Sequence, residues 1–245
     1  MPESKNYSSR YLDWDTDFFG VKSGRIELFN EVTVTEQREI LEALENFEFT
    51  TIYNHNNNNE NNAWIGEKLT ASLKDVNVQF SMQLKEQNHD VDKDENIEIK
   101  NNLGKNDDII SIAENSFLYS RFYNDKKLNQ DKAAKIYRQW VTSAFNRESK
   151  FFLYYKLQER IIGFVLFSLN DSEATIELIA VDKLSSGKGI GNKMIRHLKK
   201  HLFNNDIEVL NVGTQVNNIN AINFYIASGF KYSHCASVYH HWKSQ

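Results

Sequence analysis

The chain has 245 residues, 40% hydrophobic and 25% charged, with a net charge of −4 and a single cysteine, Cys235. That content buries a sizeable core in one large or two small domains. The acidic balance gives nucleic acid no electrostatic footing, and one thiol excludes a disulfide framework or a thiolate metal cluster. The first twenty residues lack the basic-then-apolar order of a secretory leader, and no apolar run is long enough to cross a bilayer. The expectation is a soluble, cytoplasmic protein with no membrane and no nucleic-acid partner.

In chain order, "SGRIELFN" (23–30) predicts a short strand. In "TVTEQREILEALENF" (33–47), Ile40, Leu41, Leu44 and Phe47 share one helical face, and Thr33 and Glu36 have the spacing of a capping box. "FEFTTIYNH" (47–55) is rich in β-formers and reads as a second strand. The tract "NHNNNNENN" (54–62) reads as a solvated loop without packing value. Across 85–102 asparagine and charge replace apolar residues, which predicts a linker or edge between a small N-terminal α/β domain, 1–94, and a second domain, 95–245.

The second part is more regular. "DKAAKIYRQWVTSAF" (131–145) repeats apolar residues at helical spacing, and "FFLYYKL" with "IIGFVLFSL" predicts an antiparallel hairpin around the turn "QER". "TIELIAV" (175–181) is a strand that runs into "SSGKGIGNKM" (185–194), and a helix follows with Ile190, Met194, Ile195, Leu198 and Leu202 on one face. "IEVLNVG" is a further strand, "NINAINFYIAS" a helix stopped by Gly229, and "FKYSHC" and "SVYHHW" are terminal strands. The order is α/β, mixing hairpins with strand–helix–strand crossovers.

The glycine-rich turn carries the chemistry. It is no P-loop, because Lys188 is followed by Gly189 rather than by a hydroxyl residue. Nor is it a dinucleotide fingerprint, because Gly187, Gly189 and Gly191 are spaced G-x-G-x-G, late in the chain. Free N–H groups at a helix N-terminus favour an anion, but a tight strand–helix turn explains the glycines equally well.

Downstream, Asn218, Ala221, Phe224, Tyr225, Gly229 and Phe230 form the pattern N-x-x-A-x-x-F-Y-x-x-x-G-F. Together with the glycine turn, this resembles the acyl-coenzyme A half of the GNAT N-acetyltransferase superfamily. The resemblance implies a mixed, mostly antiparallel sheet whose central strand pair splays apart. It implies acyl-CoA as co-substrate and no metal, with Gly187, Lys188, Gly189, Ile190, Gly191 and Asn192 at the pyrophosphate. Ile179, Ala180 and Val181 would pair with pantetheine, and Asn218, Ala221 and Phe224 would line the same groove. One departure is Ser186, where that family usually has arginine or glutamine; Lys188 is a substitute source of positive charge.

"WDTDFFGVKSGRIEL", "SFLYSRFYND" with "IYRQWVTSAF", and "NNINAINFYIASGF" extend the likeness. They resemble the bacterial family that N-acetylates dTDP-fucosamine (dTDP-4-amino-4,6-dideoxygalactose) for surface polysaccharide such as O-antigen lipopolysaccharide. This implies acyl transfer, acetyl or a short hydroxyacyl group such as 3-hydroxybutyryl, to a 3- or 4-amino-dideoxyhexose. A GNAT enzyme acting on another amine and a non-catalytic acyl-CoA-binding module are the alternatives.

In the resembled family a tyrosine at the position of Tyr225 protonates the departing thiolate; taken alone, Tyr225 also reads as a core aromatic. The oxyanion donor is expected among the amides of 179–181. Glu177 is the candidate base, or a merely solvated strand residue. Of His234, His240 and His241, the adjacent pair points to opposite strand faces, so at most one can serve, and no zinc-ligand spacing accompanies them. Arg121 is the candidate for a substrate diphosphate, with Tyr119, Phe122 or Tyr123 stacking on the base; a solvated arginine beside packing aromatics is the alternative. "WDTDFFG" is expected to dock the N-terminal domain, and exposed sheet edges allow a homodimer.

Overall fold

The computed structural model describes residues 5–84, 94–117 and 119–243. The N-terminal half runs β1 (Tyr7–Tyr11), α1 (Asp13–Phe19), β2 (Ser23–Leu28), α2 (Val34–Leu44), β3 (Phe49–His55), α3 (Asn59–Lys68) and β4 (Ala71–Gln83). Next come β5 (Ile97–Asn101), α4 (Asp107–Ser116), α5 (Gln130–Ala134) and α6 (Ile136–Ala144). The last part runs β6 (Phe151–Leu157), β7 (Arg160–Asn170), β8 (Glu173–Val181), α7 (Ile190–Phe203), β9 (Val209–Gln215), α8 (Ile219–Ala227) and β10 (Lys231–Trp242). The expected capping box forms at Thr33 and Glu36, and the expected α7 face is buried.

All ten strands form one sheet in the order β1-β2-β3-β10-β4-β9-β8-β7-β6-β5. The sheet is therefore continuous across the expected boundary at 94/95, and residues 85–93 of the expected linker lie outside the described residues. Strand β4 of the N-terminal half lies between β9 and β10, while β10 lies between β3 and β4. Each half lends a strand to the other.

About the β10–β4 pair the order reads the same in both directions: β3 and β9, then β2 and β8, then β1 and β7. Pair types match as well. The outer pairs are antiparallel and the inner pairs, β2–β3 and β8–β9, parallel. Elements β3, α3 and β4 begin 160 residues before β9, α8 and β10 (49 and 209, 59 and 219, 71 and 231). The N-terminal half thus repeats the topology of the glycine-turn half.

Alternation along the strands separates the two faces. Ile26, Leu28 and Ile52 pack on Ile40, Leu44, Trp64 and Ile65 of α2 and α3. Val165, Leu210, Val212 and Phe80 pack on Met194, Leu198 and Tyr225 of α7 and α8 on the same face. Phe49, Phe152, Phe164 and Leu166 meet α1, α4, α5 and α6 on the opposite face. Helix α1, from "WDTDFF", does dock the N-terminal half: Phe19 stacks on Phe122 at 5.3 Å.

Three local expectations are corrected. The asparagine tract is the start of a helix. Asn58 caps α3 by accepting from the Asn61 amide, and Asn54 and Asn61, both buried, satisfy each other and the Asn30 carbonyl. Helix 131–145 is broken at Lys135 into α5 and α6. The two terminal strands are one strand, β10, with register shifts near Tyr232 and Val238.

Candidate active site

Strands β8 and β9 pair in parallel only from Glu173–Ile176 against Val209–Val212. Beyond them the strands part, leaving the backbone of 177–181 without a partner on that side. The divergence begins at a register shift. Leu166 faces Leu178 and Phe167 faces Ile176, so Glu177 is the extra residue of a bulge. A cavity of about 830 Å³ fills the gap and passes from the glycine turn on the α7 face to Tyr137 and Trp140 of α6 on the other.

The turn is built to leave amides free. Gly187 and Gly189 both have φ +77, a conformation that side chains with Cβ rarely adopt, and Gly189 is the N-cap of α7 with no side-chain cap bond. A Cβ on either would meet nothing within 4 Å, so the space above the turn is open. Gly191 serves packing instead: a Cβ there would lie 3.2 Å from the Phe224 ring.

Of the expected groove residues, Ile179, Ala180, Val181, Gly187, Gly189, Ile190, Gly191, Asn192, Asn218, Ala221 and Phe224 line the cavity. Lys188 is exposed and does not. Asn218 caps α8 through the Ala221 amide at 3.2 Å. Tyr225 lines the same cavity with its ring buried among Phe80, Phe224 and Phe230. Burial pushes its phenol well above the ordinary range, and its hydroxyl bonds to no other described residue. A proton held there stays until something more basic arrives.

Glu177 also faces the cavity, where its carboxylate accepts from Lys150 and from Trp140 Nε1 at 3.3 Å. Trp140 lies parallel to Tyr137 at 6.2 Å, and Tyr137 on Phe117 at 4.6 Å, forming an aromatic wall. The expected group at 119–123 is divided. Arg121 reaches the cavity, but Tyr119 is exposed and Tyr123, whose hydroxyl donates to the Ala134 carbonyl at 3.4 Å, packs beside α5 and α6. Neither tyrosine lines it.

The loop carrying Arg121 is fastened to β10. The Asp125 carboxylate accepts from His240 Nδ1 at 2.7 Å, Trp242 Nε1 at 2.9 Å and the Lys127 amide at 3.1 Å. Burial pushes His240 down to about 4 against the opposing pull of Asp125, so near neutral pH it is a neutral donor in this clasp. His241 points to the other side of the strand, and neither lines the cavity. Among the described residues no group of three or more His, Cys, Asp or Glu side chains is placed to hold a metal, and no helix is long and apolar enough to cross a membrane.

Three cavity residues come from the N-terminal half and carry no motif: Tyr53 of β3, and Asn77 and Gln79 of β4. The Gln79 amide donates to Asn77 and lies across Gly213, its register partner on β9. A side chain at 213 would collide with it.

A parallel pair splayed beside an uncapped glycine turn, with a buried phenol in the same gap, is the arrangement that the GNAT resemblance implies. Residues 112–230 match the Acetyltransferase (GNAT) family. Among curated proteins, the spore coat polysaccharide biosynthesis protein SpsD of Bacillus subtilis (strain 168) is 27% identical over 139 residues, 57% of this chain and 48% of that protein. The chain thus spans about half the length of that relative. A functionally unknown conserved protein from Staphylococcus epidermidis ATCC 12228 has the same fold, with a TM-score of 0.68 at 14% identity over 100% of this chain and 94% of the other. A GCN5-related N-acetyltransferase from Sphaerobacter thermophilus superposes with a TM-score of 0.66 at 9% identity, covering 97% and 76%.

Proposed function

We propose that the protein transfers an acyl group from acyl-CoA to the amine of a dTDP-linked amino-dideoxyhexose in surface polysaccharide biosynthesis, a cytoplasmic step. The observation that carries the transfer chemistry is one cavity joining the uncapped glycine turn, the unpaired edge of β8 and the Tyr225 hydroxyl. The sugar acceptor is supported by the likeness of the N-terminal segments to the dTDP-fucosamine acetyltransferase family and by a relative whose name assigns it to polysaccharide biosynthesis.

Acyl-CoA supplies the activated acyl group as a thioester. The amides of 187–191 and the dipole of α7 hold its pyrophosphate, and the free edge of 177–181 pairs with its pantetheine arm. A backbone N–H of 179–181 donates to the carbonyl oxygen as charge develops on it. Glu177 receives the amine proton, directly or through one water. Tyr225 gives its proton to the departing sulfur.

A free-thiol assay with acetyl- and 3-hydroxybutyryl-CoA against a panel of dTDP-3-amino and dTDP-4-amino sugars tests the reading. Thiol release with one amino sugar is the expected result, and no release with any of them overturns it. Tyr225→Phe is expected to lower kcat roughly a hundredfold, the lower range for a general acid, while coenzyme A affinity stays within twofold. Wild-type turnover removes Tyr225 from the mechanism.

A further inference from the structure

The cavity runs past the reaction centre to Tyr53 of the N-terminal half and to Arg121; Arg25, which does not line it, contacts the Tyr53 ring. Arg25 of β2 and Arg121 both reach the Tyr53 ring, with guanidinium carbons 4.9 and 5.8 Å from its centroid. Arg121 is also held over the Phe122 ring at 4.1 Å. Each arginine has a buried Nε with no hydrogen-bond partner, and neither has an ion pair among the described residues. Their neighbour Arg10, by contrast, reaches Glu27 at 3.9 Å.

Asp15 and Asp75 feel the charge of Arg121, and Asp15 and Glu27 that of Arg25, all from beyond ion-pair distance. Burial pushes Asp15 and Asp75 upward, Asp75 to about 6, with Arg121 pulling both the other way and Arg25 pulling Asp15. Two guanidinium groups with idle N–H donors beside an aromatic ring are an incomplete anion site, since a buried donor of a charged group recovers its desolvation only when an acceptor arrives. The planar fork of arginine fits phosphoryl oxygens in pairs.

Position narrows the ligand. Tyr53 lies on β3, three strands from β9 in the order β3-β10-β4-β9, or roughly 14 Å at the usual strand spacing. An acceptor with its amine at the splay and an anionic group near Tyr53 must bridge most of that span. A sugar ring followed by a diphosphate does so; a short amine or polyamine brings no anion there at all.

We propose that Arg25 and Arg121 together bind the diphosphate of the nucleotide-linked acceptor beside Tyr53, so that the N-terminal half reads the nucleotide end while the GNAT half performs the transfer. This rests on the nucleotide-sugar reading above. The site is assembled only in the folded chain, since Arg25 and Tyr53 come from adjacent strands and Arg121 from the loop clasped through Asp125.

The test uses the full chain and dTDP alone as the first probe, by calorimetry, with coenzyme A binding as the check that each variant is folded. Arg25→Gln and Arg121→Gln are each expected to weaken dTDP at least tenfold with coenzyme A affinity unchanged, and Arg25→Lys to lose less than Arg25→Gln. With the amino sugar, Arg25→Gln should raise the sugar-nucleotide KM at least tenfold while kcat changes far less. If the wild type turns over a dTDP-amino sugar but Arg25→Gln keeps dTDP affinity and KM within twofold, this assignment is overturned and the acyltransfer reading stands. If the wild type acylates no amino sugar yet binds dTDP through Arg25, the nucleotide site stands and the reaction reading falls.

Discussion

Helices α2 and α7 occupy equivalent places in the two halves, yet their first turns are completed differently. At α2, Thr33 caps the Glu36 amide, and the Glu36 carboxylate accepts from the Thr33 amide and from the Asn6 amide, both at 2.8 Å. Burial opposes ionisation of Glu36, but these donors outweigh it and hold its carboxyl down to about 2. At α7 the cap is Gly189, with no side chain to give. The strands diverge in the same way: β2 and β3 stay paired from Ser23 to Leu28, whereas β8 leaves β9 after Ile176. Where Tyr225 stands in α8, seven residues beyond the cap Asn218, α3 has the fully buried Ile65, seven beyond Asn58. One topology therefore leaves its backbone donors unused in the glycine-turn half. In the other half the chain's own carboxylate occupies that place.

The comparison can be broken most directly at Gly189. Gly189→Val at φ +77 places a β-branched residue in left-handed geometry, which costs at least about 1–2 kcal/mol. Coenzyme A binding, read by calorimetry, should fall tenfold or more, and unchanged affinity would mean that the turn is not the cradle. A second effect tests the exchanged strand. The folded-state pKa of His240 lies below its unfolded value, so the unfolded chain takes up a proton between pH 6.5 and about 4 that the folded chain refuses. Stability should therefore fall as pH drops through that window, and urea midpoints for His240→Asn should show a shallower slope. An unaltered slope would take His240 out of the acid response. The smallest effect belongs to the occupied turn. Thr33→Ala should cost about 1 kcal/mol of stability in urea denaturation and leave coenzyme A affinity alone, and a change in that affinity would couple the two halves in a way the capping geometry does not foresee.

Much of the groove is legible in the sequence because it is local. Strand, glycine turn and helix are contiguous from 175 to 203, and the cap Asn218 with Tyr225 lies on one short helix. Each position is then fixed by spacing along a single element. The opposite side of the cavity is not local. Tyr53, Asn77 and Gln79 reach the cavity only because β4 and β10 exchange places, and no periodicity encodes which strand lies beside which. That Tyr119 and Tyr123 fall outside the cavity has a related cause: an irregular loop has no period from which to tell the face of Arg121 from that of its neighbours. The asparagine tract misleads because composition counts polar groups without showing that Asn54, Asn58 and Asn61 satisfy one another. The break at Lys135 carries no glycine or proline to announce it.

The exchange of β4 and β10 also sets the order in which this chain can fold. A nascent N-terminal half emerging from the ribosome has β3 and β4 but not the strand that belongs between them, which is made nearly 150 residues after β4 ends (83 and 231). Until then it presents unpaired strand edges, and the closing contacts span most of the chain. Such long-range pairing slows folding and prolongs exposure to aggregation. Truncation before β10 should therefore leave both halves incomplete, and slow synthesis or chaperone protection during that interval should matter more to this protein than to a GNAT domain whose strands are laid down side by side.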